Sequence, residues 1–246
     1  MTESRLRLDL ALVVRGLAPT RAKARDAILR GCVTVGGRLA TAASEPVASD
    51  ADIVVDDPAG RYVSRAALKL IAGLDHFGYL VEGRTALDIG ASTGGFTEVL
   101  LERGAVRVHA VDVGHGQLHP RLRDDSRVTS LEGRNARDLD PEAVAGPVGA
   151  IVADVSFISL RLALPRALAL AAPDSWGLFL VKPQFEVGRE GIGKGGIVRD
   201  PVVAREAAEG IAAWLATEMG WTVDGLIESP IAGGDGNREF LLGVRR

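Results

Sequence analysis

The stretch from Leu87 to Thr97 constrains the fold more than any other part of this sequence. An apolar run ends at Ile89, and a segment with three glycines follows it. Apolar residues then recur with the spacing of a helix. This pattern predicts a buried strand, a tight turn and the N-terminus of a helix. Because glycine lacks a Cβ atom and tolerates positive φ, such a turn lets the backbone approach a ligand closely. We therefore expect a nucleoside-containing cofactor at this turn.

The spacing of the glycines indicates which cofactor fits. A dinucleotide-binding turn has the pattern G-x-G-x-x-G, whereas the glycines here are Gly90, Gly94 and Gly95. Asp88 lies inside the motif, where a carboxylate disfavours a pyrophosphate and suits a ligand with an amino group or a cationic centre. This favours S-adenosylmethionine over a nicotinamide cofactor. Asp112 ends the next apolar run, in a place suited to binding ribose hydroxyls. Alternatively, Asp88 and Asp112 are ordinary acidic residues at the ends of strands.

The composition limits the classes of protein that fit this chain. Its 246 residues suffice for one substantial domain and a smaller one. The single cysteine, Cys32, excludes an internal disulfide, and the histidines are not spaced as metal ligands, so we expect no metal. The sequence shows neither a signal peptide nor an uncharged apolar run of about 18 residues. We therefore expect a cytoplasmic protein that does not bind membranes.

The formal net charge of −3 conceals a basic N-terminal segment. Between Arg5 and Arg38, eight basic residues outnumber two acids and leave a local charge of +6. The pattern predicts a short helix starting at Arg7, a second helix over Arg21–Arg30 capped by Thr20, and a hairpin. Arginines on one helix beside a glycine turn suit contact with phosphates. The predicted RNA-binding residues are Arg7, Arg21, Lys23, Arg25 and, further along the chain, Arg65.

Strand and helix patterns alternate from Thr85 onward, as in a parallel sheet covered by helices on both faces. The last two strands are joined without a helix, so the seventh should run antiparallel. Pro58–Gly60 marks a linker, and Ser64 is placed to cap a helix from Arg65 to about Phe77. The predicted strands are Ala86–Ile89, Val106–Val111, Val128–Leu131, Ala150–Asp154, Gly177–Val181, Thr222–Ile227 and Phe240–Val244.

Charged residues follow the apolar runs of several predicted strands. Ligands of an open α/β sheet bind outside the carboxyl ends of its parallel strands, where this chain places Asp154 and Lys182. An antiparallel seventh strand would begin at the same edge with Glu239, and these three side chains are expected to meet Lys69 there. The predicted cofactor contacts are Asp88, Gly90, Ser92, Gly94, Gly95, Phe96, Asp112, Asn135 and Asp154.

Two parts of the chain resemble known families. The segment from residue 5 to about 57, with its R-A-x-A and I-x-x-G-x-V-x-V-x-G motifs, resembles an S4 domain, a small RNA-binding fold. The glycine turn and the set Lys69, Asp154, Lys182 and Glu239 resemble the FtsJ-like ribose 2'-O-methyltransferases. Together they are similar, over essentially the whole chain, to the TlyA family, also known as hemolysin A or ribosomal RNA cytidine-2'-O-methyltransferases. The strongest matching segments are 64–70, 88–96, 154–159 and 182–186.

This resemblance implies an α/β, Rossmann-like methyltransferase with a seven-stranded, mostly parallel sheet, preceded by a small α+β S4-like domain. We expect domains at 1–57 and 65–246 with a linker at 58–64. The cofactor would be S-adenosylmethionine, the partner ribosomal RNA or ribosomal subunits, and the protein a monomer.

The same resemblance assigns four catalytic residues. A neutral ribose hydroxyl is a poor nucleophile, so a base or a cationic environment must assist its attack on a methyl group. We assign Lys182 as the proton acceptor or hydroxyl orienter and Lys69 as its electrostatic neighbour. Asp154 and Glu239 would hold the two amines in place.

Other interpretations stay open at this point. A non-catalytic RNA-binding or ribosome-assembly factor would retain the same fold, and the family's second name suggests a hemolysin. Lys69 can instead be a helix lysine that faces solvent, and Glu239 can be a charge on an edge strand. The basic helix can be a solvated surface that binds nothing. Phe157 and Phe185 suit either base stacking or the core. The glycine-rich segment around Lys194 predicts a mobile loop at the substrate edge.

Overall fold

The computed structural model describes residues 5–144, 146–188, 191–193, 195–233 and 236–246. The chain divides into two compact units, Met1–Tyr62 and Val63–Arg246. Each unit encloses a hydrophobic core of its own.

The first unit combines two helices with two small antiparallel sheets. Its elements are β1 (Arg5–Arg7), α1 (Leu8–Val14), α2 (Arg21–Leu29), β2 (Val33–Val35), β3 (Arg38–Leu39), β4 (Pro46–Ala48) and β5 (Ile53–Val55). Strand β1 pairs with β4, and β2 lies between β3 and β5. The core of this unit includes Leu8, Leu12, Ile28, Val33 and Val47.

Local sequence explains most of the boundaries in this unit. The Thr20 hydroxyl accepts a hydrogen bond from the Lys23 backbone N–H at 3.2 Å, which confirms Thr20 as the N-cap of α2. The first helix begins at Leu8 rather than at Arg7, because Arg7 is paired with Pro46 between β1 and β4. The sequence did not predict β1 and β4, since strands of three residues are too short to show a periodicity.

The second unit is a seven-stranded sheet in the order β11-β12-β10-β9-β6-β7-β8. Its strands are β6 (Thr85–Ile89), β7 (Arg107–Asp112), β8 (Val128–Glu132), β9 (Val148–Ala153), β10 (Ala171–Val181), β11 (Thr222–Glu228) and β12 (Phe240–Arg245). Its helices include α3 (Ala67–Phe77), α4 (Gly95–Glu102), α5 (Pro120–Arg123), α6 (Leu160–Ala163), α7 (Pro165–Ala169), α8 (Pro183–Glu186) and α9 (Pro201–Thr217).

Helices cover both faces of this sheet. Side chains of successive strand residues point to opposite faces, so neighbouring residues of β10 contact different helices. Gly73 of α3 lies so close to Leu178 that an added Cβ would stand 2.5 Å from it. On the other face, Phe179 shares a core with Trp214 and Leu215 of α9. The predicted α/β architecture is therefore confirmed.

The predicted direction of the seventh strand is also confirmed. Strand β12 runs antiparallel to both of its neighbours, β10 and β11, while the other pairs in the sheet are parallel. Because β12 lies between two strands, Glu239, which directly precedes it, is not an edge-strand charge. The carboxyl ends of β6, β7, β9 and β10 lie at the same edge of the sheet as the start of β12.

The predicted start of helix α3 is wrong. The helix begins at Ala67 rather than Arg65, and Ser64 does not cap it. Instead, the Ser64 hydroxyl accepts a hydrogen bond from the Ala66 backbone N–H at 3.2 Å. A serine that bonds the backbone two residues further on forms a local turn, which the sequence alone does not distinguish from an N-cap.

Strand β10 begins earlier than predicted, at Ala171 rather than Gly177. Its first part is irregular, since the pairing with β9 shifts register between Ala171 and Trp176. Asp174 within this part has a φ of +60°. A proline followed by an aspartate in the left-handed region is typical of a loop. The sequence pattern therefore does not predict this part of the strand.

Replacement of Phe179 by alanine should strongly destabilise the second unit. Phe179 is completely buried, and truncation of such a side chain costs about 3–5 kcal/mol. Urea unfolding followed by tryptophan fluorescence measures this, because all three tryptophans, at positions 176, 214 and 221, lie in this unit. The matched control is Phe157→Ala, at a side chain that is 91% exposed. Equal losses in the two variants would contradict this description of the core.

Candidate active site

The turn between β6 and α4 requires its glycines. Gly90 has a φ of +83°, and a Cβ atom added to it would stand 2.5 Å from the carbonyl oxygen of Asp154. Gly94 has a φ of +95°, and its added Cβ would stand 2.3 Å from a methyl carbon of Leu122. A side chain at either position would therefore clash and strain the backbone. The two glycines therefore allow the turn to pack closely against Asp154 and Leu122.

Two cavities border this turn at the carboxyl edge of the strands. The larger has a volume of about 510 Å³, within the range of about 300–1,000 Å³ that is usual for ligand pockets. The smaller has a volume of about 180 Å³. Both are lined by Gly90, Ser92, Asp154 and Ser156, so these residues stand where the cavities meet.

Most of the predicted cofactor residues line one or both cavities. Asp112 and Asn135 line the larger cavity, and Gly95 and Phe96 line the smaller one. The Asp112 carboxylate accepts hydrogen bonds at 2.7 Å from the backbone N–H groups of Ser92 and Gly114. Each carboxylate oxygen can accept a second bond, so Asp112 retains capacity for ribose hydroxyls.

Asp88 and Gly94 are not among the residues that line these cavities. Asp88 has no exposed surface, and one of its oxygens accepts a hydrogen bond from the Thr97 hydroxyl at 2.7 Å. Burial, with the nearby Asp154 and Asp112, raises the pKa of Asp88 to about 7. In this structure Asp88 therefore joins β6 to α4 and does not face the cofactor pocket.

Lys182 and Asp154 form an ion pair beside the smaller cavity. The Lys182 Nζ lies 2.6 Å from Asp154 Oδ1 and donates a hydrogen bond to Ser156 Oγ at 2.9 Å. The Lys182 and Asp154 side chains retain 11% and 16% of their accessible surface. The strands place them, since Asp154 directly follows β9 and Lys182 directly follows β10. An amine that is held but still accessible can act on a ligand in the cavity.

Lys69 and Glu239 form a second ion pair. The Lys69 Nζ donates to Glu239 Oε2 at 2.5 Å, and both side chains are buried. The solvent-facing alternative for Lys69 is therefore wrong. Neither residue is among those that line the two cavities. The four predicted catalytic residues are thus organised as one buried pair and one pair at the cavity.

Sequence reasoning missed several residues that line the larger cavity. Gln117 follows β7, and its side-chain amide lies against Gly114, where an added Cβ would stand 1.9 Å away. Ser156 and Ile158 follow Asp154 on the loop after β9. The position of Ser156, two residues after the predicted catalytic Asp154, could have indicated that it lies at the site. No comparable signal marks Gln117, since its placement depends on the fold of the loop.

Phe157 is not part of the core. Its side chain is 91% exposed, its φ is +65°, and its ring centroid lies 5.3 Å from that of Phe185. It also lines the larger cavity. An exposed aromatic side chain in the left-handed region is unusual enough to suggest a functional role.

The basic residues of the first unit differ in how they are paired. Arg7 and Arg21 both form ion pairs with the buried Asp9, at 3.1 and 2.9 Å, which hold the pKa of Asp9 well below its usual range. The Lys23 amine donates to the backbone carbonyl of Tyr62 at 2.9 Å. Arg25 is exposed on α2. The charge of Arg7 and Arg21 is therefore offset in part by Asp9.

Four further expectations concern other parts of the chain. Arg65 is half-buried in the turn before α3, and Lys194 lies outside the described residues. Within the described ranges, no group of three or more His, Cys, Asp or Glu side chains is arranged to hold a metal ion. Among the same residues, no helix has the length and apolarity needed to cross a membrane.

Comparisons with known proteins identify the family. The model of the FtsJ-like methyltransferase family matches residues 62–246, and the S4 domain model matches residues 6–53. The 16S/23S rRNA (cytidine-2'-O)-methyltransferase TlyA of Mycobacterium tuberculosis is 47% identical over 98% of this chain and 90% of its own length. The chain belongs to the TlyA family of FtsJ-like methyltransferases. This confirms the resemblance found in the sequence.

Other relatives agree with this membership in the TlyA family. Hemolysin A of Brachyspira hyodysenteriae is 41% identical over 96% of this chain and 98% of its own length. A solved structure from Streptococcus thermophilus, provisionally named a hemolysin, has 40% identity and a TM-score of 0.77. It covers 100% of this chain and 90% of its own. The predicted Rossmann-like methyltransferase fold with an N-terminal S4 domain is therefore confirmed.

Replacement of Asp88 by asparagine should change how the stability of this TlyA-family protein depends on pH. The native pKa of about 7 exceeds the unfolded value of 3.8, so the native state holds a proton that the unfolded state loses in this interval. Wild-type stability therefore falls as pH rises from about 4 to 7, by a contribution on the order of 3–4 kcal/mol. The variant lacks this contribution.

The measurement is urea unfolding of both proteins at several pH values, followed by tryptophan fluorescence. We expect the free energy of unfolding of Asp88→Asn to increase relative to that of wild type as pH rises from about 4 to 7, and the difference to level off above pH 7. A difference between the two proteins that stays constant with pH would show that Asp88 does not titrate in this range.

Proposed function

We propose that this protein is an S-adenosylmethionine-dependent methyltransferase that modifies the ribose 2'-hydroxyl of a cytidine in ribosomal RNA. One observation carries the proposal: the Lys182 amine, paired with Asp154 at 2.6 Å, borders the cavity beside the glycine turn. This places a group suited to proton transfer next to a pocket suited to a nucleoside cofactor. The relative from Mycobacterium tuberculosis is named for the same reaction on 16S and 23S rRNA.

The residues around the two cavities fit S-adenosylmethionine. Gly90, Ser92, Gly95 and Phe96 would hold the cofactor at the turn, Asp112 would bind its ribose hydroxyls, and Asn135 would contact its adenine. Carboxylates at the pocket suit a cationic cofactor, and Asp154 lines both cavities. When bound, the cofactor supplies an electrophilic methyl group. Asp88 and Gly94 act through the shape of the turn, because neither lines the cavities.

The chain's own residues prepare the ribose hydroxyl for attack. Lys182 Nζ would orient the 2'-hydroxyl and, in its unprotonated form, accept the hydroxyl proton as the oxygen–methyl bond forms. The methyl–sulfur bond would break in the same step, with the electron pair left on the sulfur of the departing cofactor. Asp154 fixes the Lys182 amine, and Glu239 fixes that of Lys69. Lys69 is the proposed electrostatic neighbour of Lys182, and its charge is offset by Glu239. Alignment of the reacting atoms contributes roughly 7–11 kcal/mol to such a reaction, so positioning is a main task of this site.

Ribosomal RNA binding is assigned to basic residues and to exposed aromatic rings. Arg7, Arg21, Lys23 and Arg25 of the S4-like segment, together with Arg65, contact phosphates, which contribute affinity rather than sequence choice. Phe157, exposed at the larger cavity and packed on Phe185, offers a ring face for a base of single-stranded RNA. The function assigned to these residues does not need a metal.

The domain organisation that we propose is the one predicted from the sequence. The S4-like domain spans 1–57, a linker spans 58–64, and the methyltransferase domain spans 65–246. The protein acts as a monomer on RNA in ribosomal subunits. We place it in the cytoplasm, as predicted from the sequence.

Replacement of Lys182 by alanine should lower the rate of methyl transfer by at least about a hundredfold, because the acid–base group is lost. RNA affinity should stay close to that of wild type, since phosphate contacts lie elsewhere. The measurement is single-turnover transfer of labelled methyl from S-adenosylmethionine to ribosomal subunits, with RNA binding measured in parallel. Arg205→Ala, at an exposed cation of α9, is the control and should leave both values unchanged.

Replacement of Lys182 by arginine tests whether Lys182 accepts a proton or only orients the hydroxyl. The guanidinium keeps the charge but does not release its proton at accessible pH. Loss of transfer in Lys182→Arg supports proton acceptance, whereas a partly active variant limits the role to orientation. An equal loss of methyl transfer and RNA binding in Lys182→Ala would refute the assigned role.

A further inference from the structure

We propose that Ser156 is a positioning residue that fixes the direction of the Lys182 amine. The proposal rests on the function proposed above, since it concerns the group that acts on the ribose hydroxyl. Ser156 is exposed, and its Oγ accepts a hydrogen bond from Lys182 Nζ at 2.9 Å. Its side chain acts on the reaction through the lysine.

The geometry around the amine explains why a second anchor matters. The Nζ atom bonds to one carbon, so three tetrahedral directions remain around it. Ser156 Oγ accepts a hydrogen bond along one of them at 2.9 Å, whereas Asp154 Oδ1 lies 2.6 Å from Nζ as an ion-pair partner without hydrogen-bond geometry. The hydrogen bond to Ser156 therefore sets the direction of the amine, and the other directions are left for a substrate group. With the aspartate alone, the amine could rotate about that contact, because a lysine side chain has several free torsions.

Ser156 stands where the two cavities meet. It lines both the cavity of about 510 Å³ and that of about 180 Å³, as Asp154 does, whereas Lys182 lines only the smaller one. The hydroxyl therefore lies on the boundary between the pocket assigned to the cofactor and the space beside the amine. A residue at this boundary can align the amine relative to both reactants.

The loop that carries Ser156 is tied to the segment that carries Lys182. Glu186 at the end of α8 accepts hydrogen bonds from the Ser159 hydroxyl at 2.5 Å and from the Leu160 backbone N–H at 2.9 Å. The rings of Phe157 and Phe185 also pack together, with centroids 5.3 Å apart. Since α8 directly follows Lys182, these contacts fix the position of Ser156 relative to Lys182.

The test compares three variants of the full-length protein, using single-turnover methyl transfer to ribosomal subunits. Ser156→Ala removes the acceptor, and Ser156→Thr keeps a hydroxyl. The control is Ser126→Ala, at an exposed serine in the turn before β8. Affinities for S-adenosylmethionine and for RNA are measured separately for each variant.

We expect Ser156→Ala to lower the transfer rate roughly tenfold to hundredfold, the loss usual for a misplaced reacting group. Its affinities for cofactor and RNA should match those of wild type. Ser156→Thr should restore most of the rate, and Ser126→Ala should behave as wild type. This separation of rate from binding, together with rescue by the hydroxyl, is not expected of a residue that merely supports the fold.

Three results would overturn the inference. These are a Ser156→Ala rate equal to wild type, equal losses in Ser156→Ala and Ser156→Thr, or a change confined to the binding affinities. Each of them leaves the proposed function intact when the wild-type protein is active. A wild-type protein that binds the cofactor but transfers no methyl group to RNA overturns the proposed function and the inference together.

Discussion

The close approach of Gly90 to Asp154 is the contact on which the site depends. The Asp154 backbone N–H donates to the Ile89 carbonyl at 2.9 Å, and the Asp154 carbonyl oxygen lies where a Gly90 side chain would be. This contact brings the end of β6, with its cofactor turn, against the end of β9, with its aspartate. Because β10 is parallel to β9, it delivers Lys182 to the same edge. A side chain at position 90 would separate these groups.

The two ion pairs formed by the predicted catalytic residues have different physical consequences. Lys69 and Glu239 are both buried, and removal of two charges from water costs about as much as their attraction returns. Such a pair is therefore weak evidence for stability. Lys182 and Asp154 keep some exposure, so the amine stays available to a substrate. Strained backbone at Ser92 and Phe157, with φ of 46° and 65°, lies in the loops around the same edge.

Sequence reasoning predicted the sheet and much of the site because their signals are local. Apolar runs ending in Asp112, Asp154 and Lys182 mark parallel strands and the edge where ligands bind. Features that depend on long-range packing were not accessible. The complete burial of Asp88 results from the helices that cover the sheet, and the contact between Lys182 and Ser156 results from the path of a loop. The early start of β10 was concealed by turn residues, and the start of α3 by a serine that bonds within a turn.

The central claim is that this protein methylates a ribose of ribosomal RNA, and one measurement tests it most directly. Purified protein is incubated with labelled S-adenosylmethionine and isolated ribosomal subunits, and the modified nucleotide is mapped. The account predicts label on the 2'-oxygen of a cytidine at a defined position. Absence of transfer to either subunit and to naked RNA, by protein shown to bind the cofactor, would contradict it. That result would favour a non-catalytic RNA-binding factor.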